Sequence, residues 1–215
     1  MGTIKHGILG GFRKKTGTVI GAYWRSLDVI RSLPRSSNKK PTQAQQDQQL
    51  KFALVTKYLS RLSGLINVGF NEPGSIATAM NRAVVYHLNA AVTGASPNFS
   101  IDPAKVMFSQ GNLEEPDEVV ATPVAGQKVD IAWTNIGEDE ELKDDTDTLT
   151  VLAYHPVKAK FYKMVTTVER AELSYSLQLP THFAGVNADL YIGFRSVKTR
   201  NLVSNSMYLG SLAIL

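Results

Sequence analysis

Apolar positions along this chain change their period. From Phe99 onward they alternate with polar ones. Val106 and Phe108 begin the pattern, then Val129, Ile131 and Trp133, then Leu149, Val151 and Ala153. Leu173, Tyr175, Leu177 and Leu179 follow, then Leu190, Ile192 and Phe194, and a last run from Tyr208 to Leu215. Alternation puts every second side chain on one face, so each run reads as a strand with one buried side. Turn-forming residues separate the runs, among them Ala125-Gly126, His155-Pro156 and the stretch from Lys198 to Asn201. Short strands punctuated in this way predict an antiparallel sandwich over residues 97–215.

Before Phe99 the spacing is helical. Leu50, Leu54, Tyr58, Leu62 and Leu65 recur at three- and four-residue steps and predict one apolar helix face. Thr42 with Gln45 fits a capping box at its start, and Gly64 or Gly69 is expected to end it. A second helix is expected from Ser75 as N-cap, with Ile76, Met80, Ala83, Val84, His87 and Leu88 on its stripe, running to Gly94. The two predict an antiparallel helical hairpin over residues 42–96. The fold class is therefore α+β.

Residues 1–41 obey neither period. They form a basic, glycine-rich arm in which Phe12, Tyr23 and Trp24 are the largest apolar groups. Glycines at 7, 10, 11, 17 and 21 argue against a continuous helix. Only the β-branched stretch from Thr16 to Ile20 suits an extended piece, and no folded unit of its own is read here. An apolar segment without a core needs a surface to cover it. The expectation is an arm that packs on a neighbouring copy, with Phe12, Tyr23 and Trp24 as anchors. Arg13, Lys14, Lys15, Arg25, Arg35, Lys39 and Lys40 are the candidate contacts to a neighbour or to nucleic acid.

Charge sharpens this picture. The net charge is +4, yet residues 1–61 carry twelve Lys+Arg against two Asp+Glu, while residues 62–215 carry eleven against seventeen. Such segregation suits front-to-back contact between copies or an anionic partner for the front. The apolar share of 43% and the charged share of 20% are those of an ordinary globular chain. There is no cysteine, and four scattered histidines lack ligand spacing, so no metal or other cofactor is expected. Arg13, Lys14 and Lys15 interrupt the first apolar stretch before a secretory signal could form, and no run is long enough to span a bilayer.

Catalytic patterns are missing. Neither G-x-x-x-x-G-K-[ST] nor G-x-S-x-G occurs. The acidic run Glu138, Asp139, Glu140, Glu141, Asp144, Asp145 and Asp147 lacks calcium-loop spacing and reads as a solvated loop. His155 and His182 read as surface turn residues, and His87 as a core histidine. The chain is not expected to be an enzyme, and no small-molecule substrate is expected.

Two resemblances add to this. K-V-D-I-A-W-T at 128–134 is similar to the second strand of an immunoglobulin or fibronectin type III sandwich, with its core Trp. D-L-Y-I-G-F-R-S-V at 189–197 is similar to the sixth. End to end, through G-I-L-G-G-F at 7–12, D-V-I-R-S-L-P at 28–34 and V-S-N-S-M-Y-L-G at 203–210, the chain resembles an uncharacterised bacterial and phage-associated family. That resemblance implies a fixed architecture and no chemistry. The function expected is a self-assembling structural protein, in its specific form a capsid subunit of a bacterial virus, assembled in the cytoplasm and carried in the virion. A cellular filament or tube subunit, and an Ig-like binding module with a basic tether, stand as alternatives.

Overall fold

The structure, a computed structural model, describes residues 3–4, 11–24, 27–35, 39–136 and 142–215. The chain divides into two compact units, residues 1–42 and 43–215.

The first unit corrects the expectation of an arm without a fold. It is a four-stranded antiparallel sheet, β1 (Thr3–Ile4), β2 (Phe12–Thr16), β3 (Val19–Trp24) and β4 (Leu27–Ser32), in that spatial order. The glycines that exclude a helix are what let the strands turn and approach. Gly17, at φ +60°, sits in the two-residue turn between Thr16 and Val19, a conformation that suits hairpins. Gly21 lies where β2 comes so near that a Cβ would stand 1.9 Å from the Phe12 carbonyl oxygen.

The second unit begins with α1 (Gln43–Ser60), α2 (Ser63–Gly69) and α3 (Ala79–Ala90), followed by a hairpin of β5 (Val92–Ala95) and β6 (Asn98–Ile101). The first expected helix is thus two, separated by a turn at Arg61 and Leu62. Its buried stripe is Val55, Leu59, Leu62 and Ile66, which keeps Leu62 of the expected one and otherwise lies one position on, with Tyr58 and Leu65 at its margin and Leu50 exposed. The second helix is capped by Thr78, whose side chain accepts from the Asn81 N–H at 3.2 Å, and not by Ser75. It stops at Ala90, because Val92–Ala95 turns into the hairpin.

Seven strands complete the unit: β7 (Asp117–Val124), β8 (Lys128–Thr134), β9 (Thr148–His155), β10 (Lys160–Glu169), β11 (Ser174–Gln178), β12 (Asn187–Arg195) and β13 (Met207–Ala213). They form a three-stranded sheet, β11-β8-β7, and a four-stranded one, β10-β9-β12-β13. All pairings are antiparallel. This is an immunoglobulin or fibronectin type III-like sandwich, with Lys128–Thr134 as its second strand and Asn187–Arg195 as its sixth. Between the sheets lies the core that alternation foretold: Val129, Ile131 and Trp133 against Leu149, Val151, Leu190, Ile192 and Phe194.

A second core lies on the outer face of the four-stranded sheet. There Leu152, Tyr154 and Tyr191 meet Val55, Leu59, Ile66 and Phe70 of the helical segment. Hence β9 and β12 are buried on both faces, and the helices and the sandwich share one unit. The Tyr191 hydroxyl donates to the Pro103 carbonyl at 2.8 Å, so even this buried phenol is satisfied.

His87 is a fully buried member of α3. Its Nδ1 faces the Ala83 carbonyl at 2.7 Å, and its Nε2 accepts from the Met107 N–H at 3.3 Å. Both contacts suit a neutral ring with the proton on Nδ1. Burial holds its pKa below the ordinary imidazole value. The unfolded chain therefore takes up a proton at a pH where the folded one does not. Stability present above about pH 6.5 is lost as pH falls below it, by at most about 1.4 kcal/mol per pH unit. Urea melts between pH 7 and 5 are expected to show this slope, and a His87→Gln chain, which keeps one donor and one acceptor, to show less of it.

Candidate assembly surface

The small sheet carries most of the residues marked in the sequence, and its register sorts them by face. Directly opposed residues share a face of an antiparallel sheet. On one face Lys15, Ile20 and Arg31 form a row, and next to it lie the pairs Ala22–Val29 and Trp24–Leu27. That makes an apolar band ended by two cations. The other face holds the row Lys14, Gly21 and Ile30 and the pair Tyr23–Asp28. Arg13 reaches across so that its guanidinium lies 4.8 Å from the centre of the Tyr23 ring. A cation over an aromatic face is attracted by the ring quadrupole.

Among the described residues both faces carry large exposed apolar groups. Tyr23 is 55% exposed, Trp24 50%, Leu27 60% and Ile30 65%. Phe12 is half-buried. β4 is the last strand of the order and presents an open edge among the described residues. The structure thus brings Phe12, Arg13, Lys14 and Lys15 together on β2, with Tyr23 and Trp24 on the adjacent β3. Arg35, Lys39 and Lys40 are exposed and lie past the end of β4, outside the sheet. Arg25 falls outside the described residues.

Within the acidic run Asp145 is exposed, as a solvated loop requires, but Asp144 and Asp147 are engaged. Asp144 pairs with Lys198 and accepts from both the hydroxyl and the N–H of Thr146. The Lys198 ammonium, then the Thr146 bonds, hold its carboxyl far below the usual carboxylate range. Asp147 is fully buried beside Arg170, its Oδ2 3.4 Å from the Arg170 Nε. Glu138, Asp139, Glu140 and Glu141 fall outside the described residues. Among the described residues no group of three or more His, Cys, Asp or Glu could hold a metal ion.

His155 corrects a second expectation. It is buried, not a surface residue of a turn. Its Nδ1 accepts from the Lys158 N–H at 3.2 Å, its Nε2 lies 3.1 Å from the His182 carbonyl oxygen, and the two imidazoles stack 6.1 Å apart.

Beside this pair lies a cationic surface that sequence reading missed. Arg61, Lys158, Lys160, Lys163 and His182 surround an open hollow of about 440 Å³, with Phe161 and Tyr162 on its wall and no acid in its lining. Burial, and then Lys158 and Lys160, lower the His182 pKa. The signal was the K-A-K-F-Y-K stretch at 158–163, basic residues interleaved with aromatics. It was hidden inside a half-chain whose charges sum to an excess of acid.

The model of a family of unknown function matches residues 11–210. No curated protein matches the chain. Among solved structures, the FN5 domain of Drosophila Lar is similar over 46% of this chain and 92% of that one, with 13% identity and a TM-score of 0.31. Among the described residues no helix is long and apolar enough to cross a membrane.

Proposed function

We propose the following role for the chain, which belongs to the DUF6266 family, a family of unknown function: it is a self-assembling structural subunit whose basic β-meander docks on a neighbouring copy. The observation that carries this reading is the exposure of Tyr23, Trp24, Leu27 and Ile30 on a thin sheet with an open edge. Fully burying a Leu or Ile side chain contributes about 1.5–3 kcal/mol, and these groups are still at least half in water. Unpaired strand edges invite pairing with another chain unless something covers them. Charge supports a second copy as the cover. The meander is basic, whereas residues 62–215 carry an excess of acid.

The specific form is a virion shell subunit of a bacterial virus, assembled in the cytoplasm, without catalytic activity and without a cofactor. Two surfaces favour contact with packaged nucleic acid: Arg13, Lys14 and Lys15 on β2, and the hollow of Arg61, Lys158, Lys160 and Lys163. Cations beside exposed aromatic rings suit phosphates and unstacked bases.

Deleting residues 1–36 tests this. The shortened chain is expected to stay folded and soluble, to give only small species by light scattering, and to co-purify with less nucleic acid. Negative-stain microscopy of the full chain then separates closed shells from filaments. Particles of unchanged size after the deletion would refute the docking role.

A further inference from the structure

We propose that the hollow between α2 and the outer face of the four-stranded sheet is a binding site for a small apolar carboxylate. Its floor is one cross-strand row, Val165 on β10, Thr150 on β9 and Gly193 on β12, paired in register. Leu65 and Val68 of α2 form one wall, and Phe108 closes another. The cavity measures about 250 Å³. An apolar cavity of about 150 Å³ already takes benzene, so there is room for a larger body, either an aryl group or a chain of several methylenes.

Gly193 keeps this floor low. A Cβ there would stand 3.1 Å from both the Phe108 ring and the Ser109 hydroxyl. That hydroxyl is buried and, among the described residues, has no hydrogen-bond partner. A buried hydroxyl without a partner is costly, and Ser109 belongs to the lining of this hollow, so an acceptor brought by a ligand would satisfy it.

Charge fixes the sign of the ligand. Lys163 lies two residues before Val165 on β10, and Arg195 two residues beyond Gly193 on β12, so two cations border the floor at opposite ends. No acid lines the hollow. One Lys163 proton goes to the Arg61 carbonyl at 3.0 Å, which leaves two for a ligand. The meander of another copy is not the occupant, because it carries the same sign of charge as this rim.

Calorimetry on the full chain tests this with octanoate, beside octylammonium and 1-octanol. Octanoate is expected to bind with a dissociation constant below about 1 mM and octanol roughly tenfold more weakly, the difference that one charge-assisted hydrogen bond supplies. Octylammonium is expected to give no heat. Lys163→Glu combined with Arg195→Glu changes only exposed side chains and is expected to weaken octanoate at least tenfold. Val165→Phe, which fills the floor, is expected to abolish binding, and a thermal melt shows whether that variant is folded. The proposal is overturned if octanoate gives no heat, if octylammonium binds as well, or if the double charge reversal leaves octanoate affinity unchanged. None of these outcomes bears on assembly through the meander.

Discussion

An Arg170→Met chain is expected to lose about 3–5 kcal/mol of stability, the usual cost of leaving one partner of a buried ion pair uncompensated. Arg170 is the largest fully buried side chain among the described residues. Its Nε faces Asp147, its Nη2 donates to the Glu114 carbonyl at 2.7 Å, and its guanidinium lies 4.3 Å from the centre of the Phe194 ring. The backbone takes part as well. The Arg170 N–H donates to the Asp147 carbonyl at 2.8 Å, and the Trp133 indole N–H donates to the Arg170 carbonyl at 3.0 Å. One residue thus ties the segment after β10 to the loop before β9, and to the Trp133–Phe194 ring contact between the sheets.

The loss should depend on pH in a definite direction. Burial already raises the Asp147 pKa, and removing the cation raises it further. A carboxyl whose folded pKa lies above its unfolded value costs stability as pH rises through that folded pKa. The gap between parent and variant is therefore widest near neutrality and narrows toward pH 4. For a unit of this size the neutral-pH loss corresponds to a fall in Tm on the order of 6–20 °C, measured by thermal melts. Changing both residues, Asp147→Leu with Arg170→Met, is expected to recover much of it, because no charge is then left buried. Equal losses in the single and double variants would mean that packing around the guanidinium, and not its charge, is what matters.

The pair also marks the limit of what the sequence could reveal. The sandwich was legible because its inner face alternates without interruption, as in Val129, Ile131 and Trp133. Arg170 was not, since an arginine near a strand end reads as a solvated charge, and its partner Asp147 stood in an acidic run that reads the same way. The stripe of α1 is centred one position on from the expected one, because Leu50, Leu54 and Tyr58 repeat at the same spacing as Val55 and Leu59. His155 was misplaced because His-Pro marks a turn, and a turn says nothing of which side chain folds inward. The candidate surface was legible by composition and not by structure. Phe12, Arg13, Tyr23 and Trp24 were marked from their chemistry, but that they share one sheet follows from pairings that glycine permits and periodicity does not announce.

Gly21 is where that surface is most easily broken. It occupies the middle of β3, opposite Lys14 on one side and Ile30 on the other. Intrinsic preference favours valine over glycine in a strand. The close approach of the Phe12 carbonyl opposes it, because any Cβ would collide with backbone that cannot move without unpairing β2. A Gly21→Val chain is therefore expected to lose β2–β3 pairing and, with it, large particles in light scattering. Thr16→Val places the same side chain at the exposed end of β2, away from the open edge, and is expected to assemble normally. The protein's two tryptophans divide the readout. Trp24 belongs to the meander, and Trp133 is buried in the sandwich. In a Trp24→Phe background the Trp133 fluorescence melt of the Gly21→Val chain is expected to stay within about 0.5 kcal/mol of its parent, as for a change outside the core. Normal particles from Gly21→Val would detach assembly from the meander. A destabilised Trp133 melt would instead mean that the two units fold together.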